Sequence, residues 1–282
     1  MLLLATLAAA GCQAPIERTV SYDDRFERNK MDLYLPGGDA TGRPGILMVH
    51  GGGWAYFDND QYRPVARRFA RSGYVTASVN YRLVPAGVFP NAVHDVACAL
   101  AYFQNHADEL GLDPTRVAVM GYSAGGHLAT LVSVALDAPE LVPDCAEGAP
   151  SRPQAIVSGA GPMDMRELRD VAAVRDFVGG RREDIPEVYA LASPVEHVSA
   201  DDPPMLFVHG RWDQFVSVDH SRTMRDLLRA QGVEADVLVL AGTGHVLNPN
   251  DDASALGIAI STDSPEAWAT VLAFLDRHIG RP

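Results

Sequence analysis

The sequence predicts an α/β protein, a doubly wound and mostly parallel sheet with a small lid. Three observations lead there. Short apolar runs at residues 46–49, 76–79, 117–120, 155–157, 205–208 and 237–240 read as strands buried on both faces. Helix-like stretches at 62–72, 91–109, 124–136, 220–231 and 265–278 alternate with them, and such alternation winds a parallel sheet between two helical layers. Glycine-rich segments follow the runs at 46–49, 117–120 and 237–240, which gathers them at the carboxyl ends of the strands, where ligands bind in open α/β sheets.

The remaining elements follow in chain order. Residues 20–22 and 31–35 read as an opening pair of strands joined by the charged turn 23–30, and they form an antiparallel edge. Residues 139–153, rich in Pro, Ala and Gly, read as a surface loop. Residues 161–204 mix short helices with proline and charge and are the expected lid over a binding pocket. A chain of 282 residues that is 47% hydrophobic, without internal repeats, suits one large domain. A net charge of −13 disfavours nucleic acid or an anionic membrane surface as a partner, because both would repel it.

Residues 1–11 are apolar, end in small residues and precede Cys12, the pattern of a bacterial lipoprotein signal peptide. The stretch is too short to span a bilayer. The expectation is cleavage before Cys12, lipidation of that cysteine, a tether over residues 12–30 and a catalytic domain over 31–282, held outside the cytoplasm by its anchor; the alternative is a cytoplasmic protein with a frayed apolar start. Membrane contact is expected only through that anchor. Export would permit a disulfide between the remaining cysteines, but Cys98 falls in an amphipathic helical run and reads as core rather than as half of a bridge to Cys145.

The chemistry is carried by Gly121-Tyr122-Ser123-Ala124-Gly125, which joins an apolar strand to a helix. A serine at so sharp a turn has its hydroxyl pushed into the open, and the small residues on either side let strand and helix pass close together. A serine hydroxyl is a weak nucleophile near neutral pH, so it requires a histidine base, a carboxylate to orient that base and donors for an oxyanion. The donors are expected from Gly52 and Gly53, with Gly51 as an alternative, in the loop His50-Gly51-Gly52-Gly53-Trp54, and from Ala124. The acid is expected at Asp213, in the loop after the strand 205–208, with Asp219 as its rival. His245, on the glycine-rich loop after 237–240, is the expected base. His209 reads as packing at a strand end, and His50 as a residue that shapes the glycine loop. Trp54 and Phe57 are candidates for the substrate pocket. No Cys/His spacing of the zinc type occurs, and the chemistry needs neither metal nor cofactor.

At these residues the chain resembles the α/β-hydrolase serine esterases of the hormone-sensitive-lipase-like group, and within it the bacterial carboxylesterases and the feruloyl and acetylxylan esterases. The resemblance runs from about residue 32 to 279 and includes Asn80-Tyr81-Arg82-Leu83-Val84-Pro85, Phe89-Pro90 and His94-Asp95. It implies the α/β-hydrolase fold, a Ser123, Asp213, His245 triad and hydrolysis of carboxylic esters through an acyl-enzyme. The loop from His50 to Trp54 is also similar to that of kynurenine formamidases, which makes amide hydrolysis the alternative activity, and a non-catalytic hydrolase-fold binding protein is the alternative of a different class. Lipase-like members carry a helical cap ahead of the first strand, whereas only residues 13–30 precede it here. A small-molecule ester with a short acyl chain is therefore the expected substrate.

Overall fold

The computed structural model describes residues 14–38, 40–245 and 264–282. Residues 1–11, with the expected signal peptide, and Cys12 lie outside the described residues. In chain order the strands are β1 (Ile16–Ser21), β2 (Lys30–Leu35), β3 (Arg43–Val49), β4 (Val75–Val79), β5 (Leu112–Tyr122), β6 (Ala155–Gly159), β7 (Met205–Gly210) and β8 (Ala235–Leu240). The helices are α1 (Arg63–Arg71), α2 (Asn91–Asn105), α3 (Ala107–Leu110), α4 (Ala124–Val134), α5 (Ala172–Val178), α6 (Pro186–Leu191), α7 (Val218–Ala230) and α8 (Pro265–His278).

The strands form one eight-stranded sheet in the order β1-β2-β4-β3-β5-β6-β7-β8. β1 pairs antiparallel with β2, and β2 antiparallel with β4; every other pairing is parallel. Period-2 alternation divides the side chains between two cores. Leu47, Val49, Val117, Val119 and Ile156 face one layer, where they meet Val96, Leu100 and Phe103 of α2 and Leu128 and Leu131 of α4. Ile46, Met48, Ala118, Met120 and Val157 face the other, packed on Val65 and Phe69 of α1 and Trp268, Val271 and Leu275 of α8. Runs apolar at every position are what such two-sided burial requires.

Three sequence expectations change. β1 starts at Ile16 and is hydrogen-bonded along its length to β2, so residues 16–21 of the stretch 12–30 are an edge strand of the sheet and not a tether. Its first four residues are exposed, which leaves little apolar periodicity to read. The helix expected over 91–109 is two, because the chain turns at His106 between α2 and α3. Cys98 is buried in the core, yet it is also bridged to Cys145, 47 positions away, with the two Cα atoms 5.2 Å apart. The bridge ties α2 to the 139–153 loop. Residues 161–204 form the lid as expected: two short helices, α5 and α6, and 3-10 turns at Met165–Glu167 and Pro194–His197.

Candidate active site

Ser123 stands between β5 and α4 with φ of 53° and ψ of −121°. That backbone conformation is strained for any residue with a Cβ. It is held by a bond from the Ser123 amide to the Gly159 carbonyl at 2.7 Å, on the neighbouring strand β6. Gly125 is dictated by packing, since a Cβ there would lie 2.0 Å from the Val49 carbonyl oxygen. The turn therefore presses α4 against the end of β3 and lifts the Ser123 side chain above the sheet.

The loop after β3 is fixed by its own hydrogen bonds. His50 is fully buried, stacks on Tyr81 with ring centroids 4.3 Å apart and donates from Nδ1 to the Gly51 carbonyl at 2.7 Å. Burial pushes its pKa down to about 3, so the ring is neutral. Gly52 has φ of +109°, and a Cβ on it would sit 2.2 Å from the Tyr56 carbonyl oxygen. The Gly51 amide donates to Gln61 Oε1 at 2.8 Å, which removes it from the set of oxyanion donors. Among the described residues no protein acceptor takes the amides of Gly52, Gly53 or Ala124. Trp54 and Phe57 both reach the cavity. Trp54 is also structural: its ring is 4% exposed, stacked on Phe177 at 4.4 Å and edge-on to His127.

Asp213 and His245 come from adjacent strand ends, beyond β7 and β8, and the Trp212 amide bonds the Thr243 carbonyl at 2.9 Å to join the two loops. Asp213 Oδ1 accepts the amides of Phe215 and Val216, both at 2.9 Å. Its Oδ2 accepts Nδ1–H of His245 at 2.7 Å, and His245 Nε2 lies 2.9 Å from Ser123 Oγ. The three expected residues are thus one hydrogen-bonded chain, and Nδ1 protonation leaves Nε2 free to accept the serine proton. Asp219 is elsewhere, exposed at the start of α7 and paired with Arg222 at 2.9 Å.

His209, read from sequence as packing, has a more specific place. It is fully buried; its Nε2 lies 3.2 Å from Asp213 Oδ2 and 2.9 Å from the Val216 carbonyl, while Nδ1 accepts the Ser221 hydroxyl at 2.8 Å. Because Nε2 faces two acceptors it carries the proton. Burial alone would raise the Asp213 pKa, but hydrogen bonds from His209 and His245, with the attraction of His245, outweigh it and hold the carboxyl well below the usual carboxylate range. The one sequence signal for His209 was its position four residues before the acid. Arg82 and Asp95, in the stretches that carry the family resemblance, are scaffold: they pair at 2.8 Å with little exposure, and Asp95 also accepts from Asn29.

A cavity of about 400 Å³ opens over Ser123, lined by the glycine loop, Phe57, Leu168, Val171, Val174 and Phe215 among others. The lid touches the glycine loop directly, for Phe177 of α5 stacks on Trp54 with ring centroids 4.4 Å apart. The arrangement can place an acyl carbonyl between a nucleophile and unpaired amides, inside an apolar wall.

Known proteins share this architecture. The chain is similar to a probable carboxylic ester hydrolase, LipM, of Mycobacterium tuberculosis, 33% identical over 264 residues that cover 89% of this chain and 61% of LipM. It therefore spans less than two thirds of that relative's length. A truncated carbohydrate esterase from gut microbiota has a similar structure, with a TM-score of 0.79 and 22% identity over 96% of this chain and 99% of that one. Thermogutta terrifontis esterase 2, solved phosphonylated by sarin, gives a TM-score of 0.77 and 25% identity over 94% and 96% of the two chains. The fold is that of the α/β-hydrolases, and with residues 31–228 matching BD-FAE, the chain belongs to the BD-FAE family.

Proposed function

We propose that the protein is a serine esterase that hydrolyses short-chain carboxylic esters through an acyl-enzyme. The observation that carries this reading is the continuous chain Ser123 Oγ, His245, Asp213 beside three unclaimed amides. Ser123 Oγ attacks the ester carbonyl as His245 Nε2 takes its proton. Gly52, Gly53 and Ala124 donate to the oxyanion, and the imidazolium, steadied by Asp213, returns the proton to the leaving alcohol. Water then repeats the sequence on the acyl-enzyme. The relatives described as esterases support ester cleavage over amide cleavage, and an intact serine, histidine and acid argue against a non-catalytic binding protein. Labelling by a fluorophosphonate probe, together with turnover of p-nitrophenyl esters, tests the proposal; an unlabelled, folded protein would refute it.

Asp213→Asn should lower kcat by about 10³ to 10⁴-fold, because an amide favours the wrong histidine tautomer. His209→Ala should cost about 10-fold, as one of several bonds to the carboxylate is lost. Kinetics on the two purified variants compare them directly, and equal losses would place His209 in a larger role than orienting the acid.

Acyl chains of about C2 to C6 should be preferred. A cavity of about 400 Å³ must hold both the acyl and alcohol parts. Each buried methylene contributes about 0.8 kcal/mol only while it finds apolar wall, so kcat/KM should rise, level off and then fall along a p-nitrophenyl ester series. An optimum at C10 or beyond, with activation on emulsified triglyceride, would overturn the short-chain assignment.

A further inference from the structure

Among the described residues that line the cavity over Ser123, Arg169 is the only one with a permanent charge, and no carboxylate lines it. The surrounding wall is apolar, with Leu168, Val171 and Val174 on the same lid segment. Arg169 is itself exposed, so its guanidinium stands at the solvent edge of that wall. Here the adjacent charges are paired with other groups or line another cavity. Arg166 binds Asp164 at 2.7 Å and Glu196 at 2.5 Å. Glu167 lines a separate cavity together with Asp219 and His220. Asp170 pairs with Arg175 at 2.9 Å. Among the described residues nothing accepts from the Arg169 side chain, although most arginines of this acidic chain are paired.

A protein of net charge −13 repels anions at long range, and an unpaired cation at the mouth of its binding cavity is a local exception to that repulsion. A guanidinium also presents a planar fork of donors that matches a carboxylate. We propose that Arg169 is a specificity residue, and that the cavity takes esters bearing a carboxylate or similar anionic group on the end that faces the lid. Arg169 is the counter-ion the substrate completes. This rests on the esterase reading above and adds the chemical class of its substrate.

The test compares substrates matched in size and differing in charge. Monoethyl glutarate is set against its neutral amide for an anion on the acyl side, and 4-acetoxybutanoate against its amide for one on the alcohol side. In the wild-type protein at low salt, kcat/KM should favour the anionic member of one pair by about 3- to 10-fold, the scale expected for an exposed charge–charge hydrogen bond. The ratio should shrink in about 0.5 M NaCl. It should approach one in Arg169→Gln and fall below one in Arg169→Glu. No preference in either pair, or a preference that survives Arg169→Gln, would overturn the assignment. Fluorophosphonate labelling of the same preparations separates the two readings. Labelling without an anion preference removes only the role of Arg169, whereas a folded protein that neither labels nor turns over any of the four esters removes the esterase reading itself.

Discussion

Ser123→Ala should reduce kcat by about 10⁴-fold or more while the protein remains folded, and His245→Ala should do the same. The two side chains form one device. Without the hydroxyl there is nothing for the imidazole at 2.9 Å to activate, and without the imidazole the hydroxyl keeps its proton. The double variant should therefore be little worse than either single one. What remains should reflect the amides of Gly52, Gly53 and Ala124, which still polarise a bound carbonyl. The elbow should survive the serine change, because its strain is held by the backbone bond to Gly159 and not by the hydroxyl. Steady-state kinetics with circular dichroism on each variant decide the matter. Turnover close to wild type in folded Ser123→Ala would reject Ser123 as the nucleophile.

Acid should destabilise the protein before its carboxylates are neutralised. His50 and His127 are both fully buried, and burial pushes their pKa values down to about 3 and about 4. Each donates one ring N–H to a carbonyl: His50 to Gly51, and His127 to Ala192 in the lid at 2.7 Å. The opposite nitrogen of each is buried with no partner among the described residues. Protonation would strand a charge and a donor in the core. The unfolded chain takes up those protons near pH 6.5 and the folded chain refuses them, so stability is intact above that value and falls as pH drops towards the folded pKa values. The slope is about 1.4 kcal/mol per pH unit for each histidine, and the loss by pH 4.5 is about 5 kcal/mol, comparable to the whole stability of many domains. The midpoint of thermal unfolding should drop by about 10 °C between pH 7.5 and 4.5. His127→Asn should flatten about half of that slope. A midpoint that stays level across the interval would show that these rings are not kept neutral by the fold.

The histidines also illustrate what could be read before the structure. The strands of the parallel sheet were legible because burial on both faces leaves runs such as Ile46-Leu47-Met48-Val49, with no polar position to blur them. The nucleophile, base and acid were legible because each ends such a run and the fold brings strand ends together. β1 was cut short because its early residues face solvent on the edge of the sheet. His209 was legible only as strand-end packing, for a different reason. Its type and position fit packing equally well, and only the distance to Asp213 Oδ2 assigns it. The Cys98–Cys145 bridge and the isolation of Arg169 are likewise facts about which distant groups meet or fail to meet. Periodicity reports the face a residue turns inward, and says nothing of its neighbour there.

The antiparallel edge has a directional consequence. Ile16 pairs with Leu35, and the neighbouring Tyr34 pairs with Thr76 near the start of β4, so the chain enters at the rim where the parallel strands begin. Ser123 stands at the rim where they end. The two points are separated by the height of the sheet, about 15 to 20 Å. A label placed on Ile16 itself would therefore sit at the rim away from the mouth, the height of the sheet from the nucleophile.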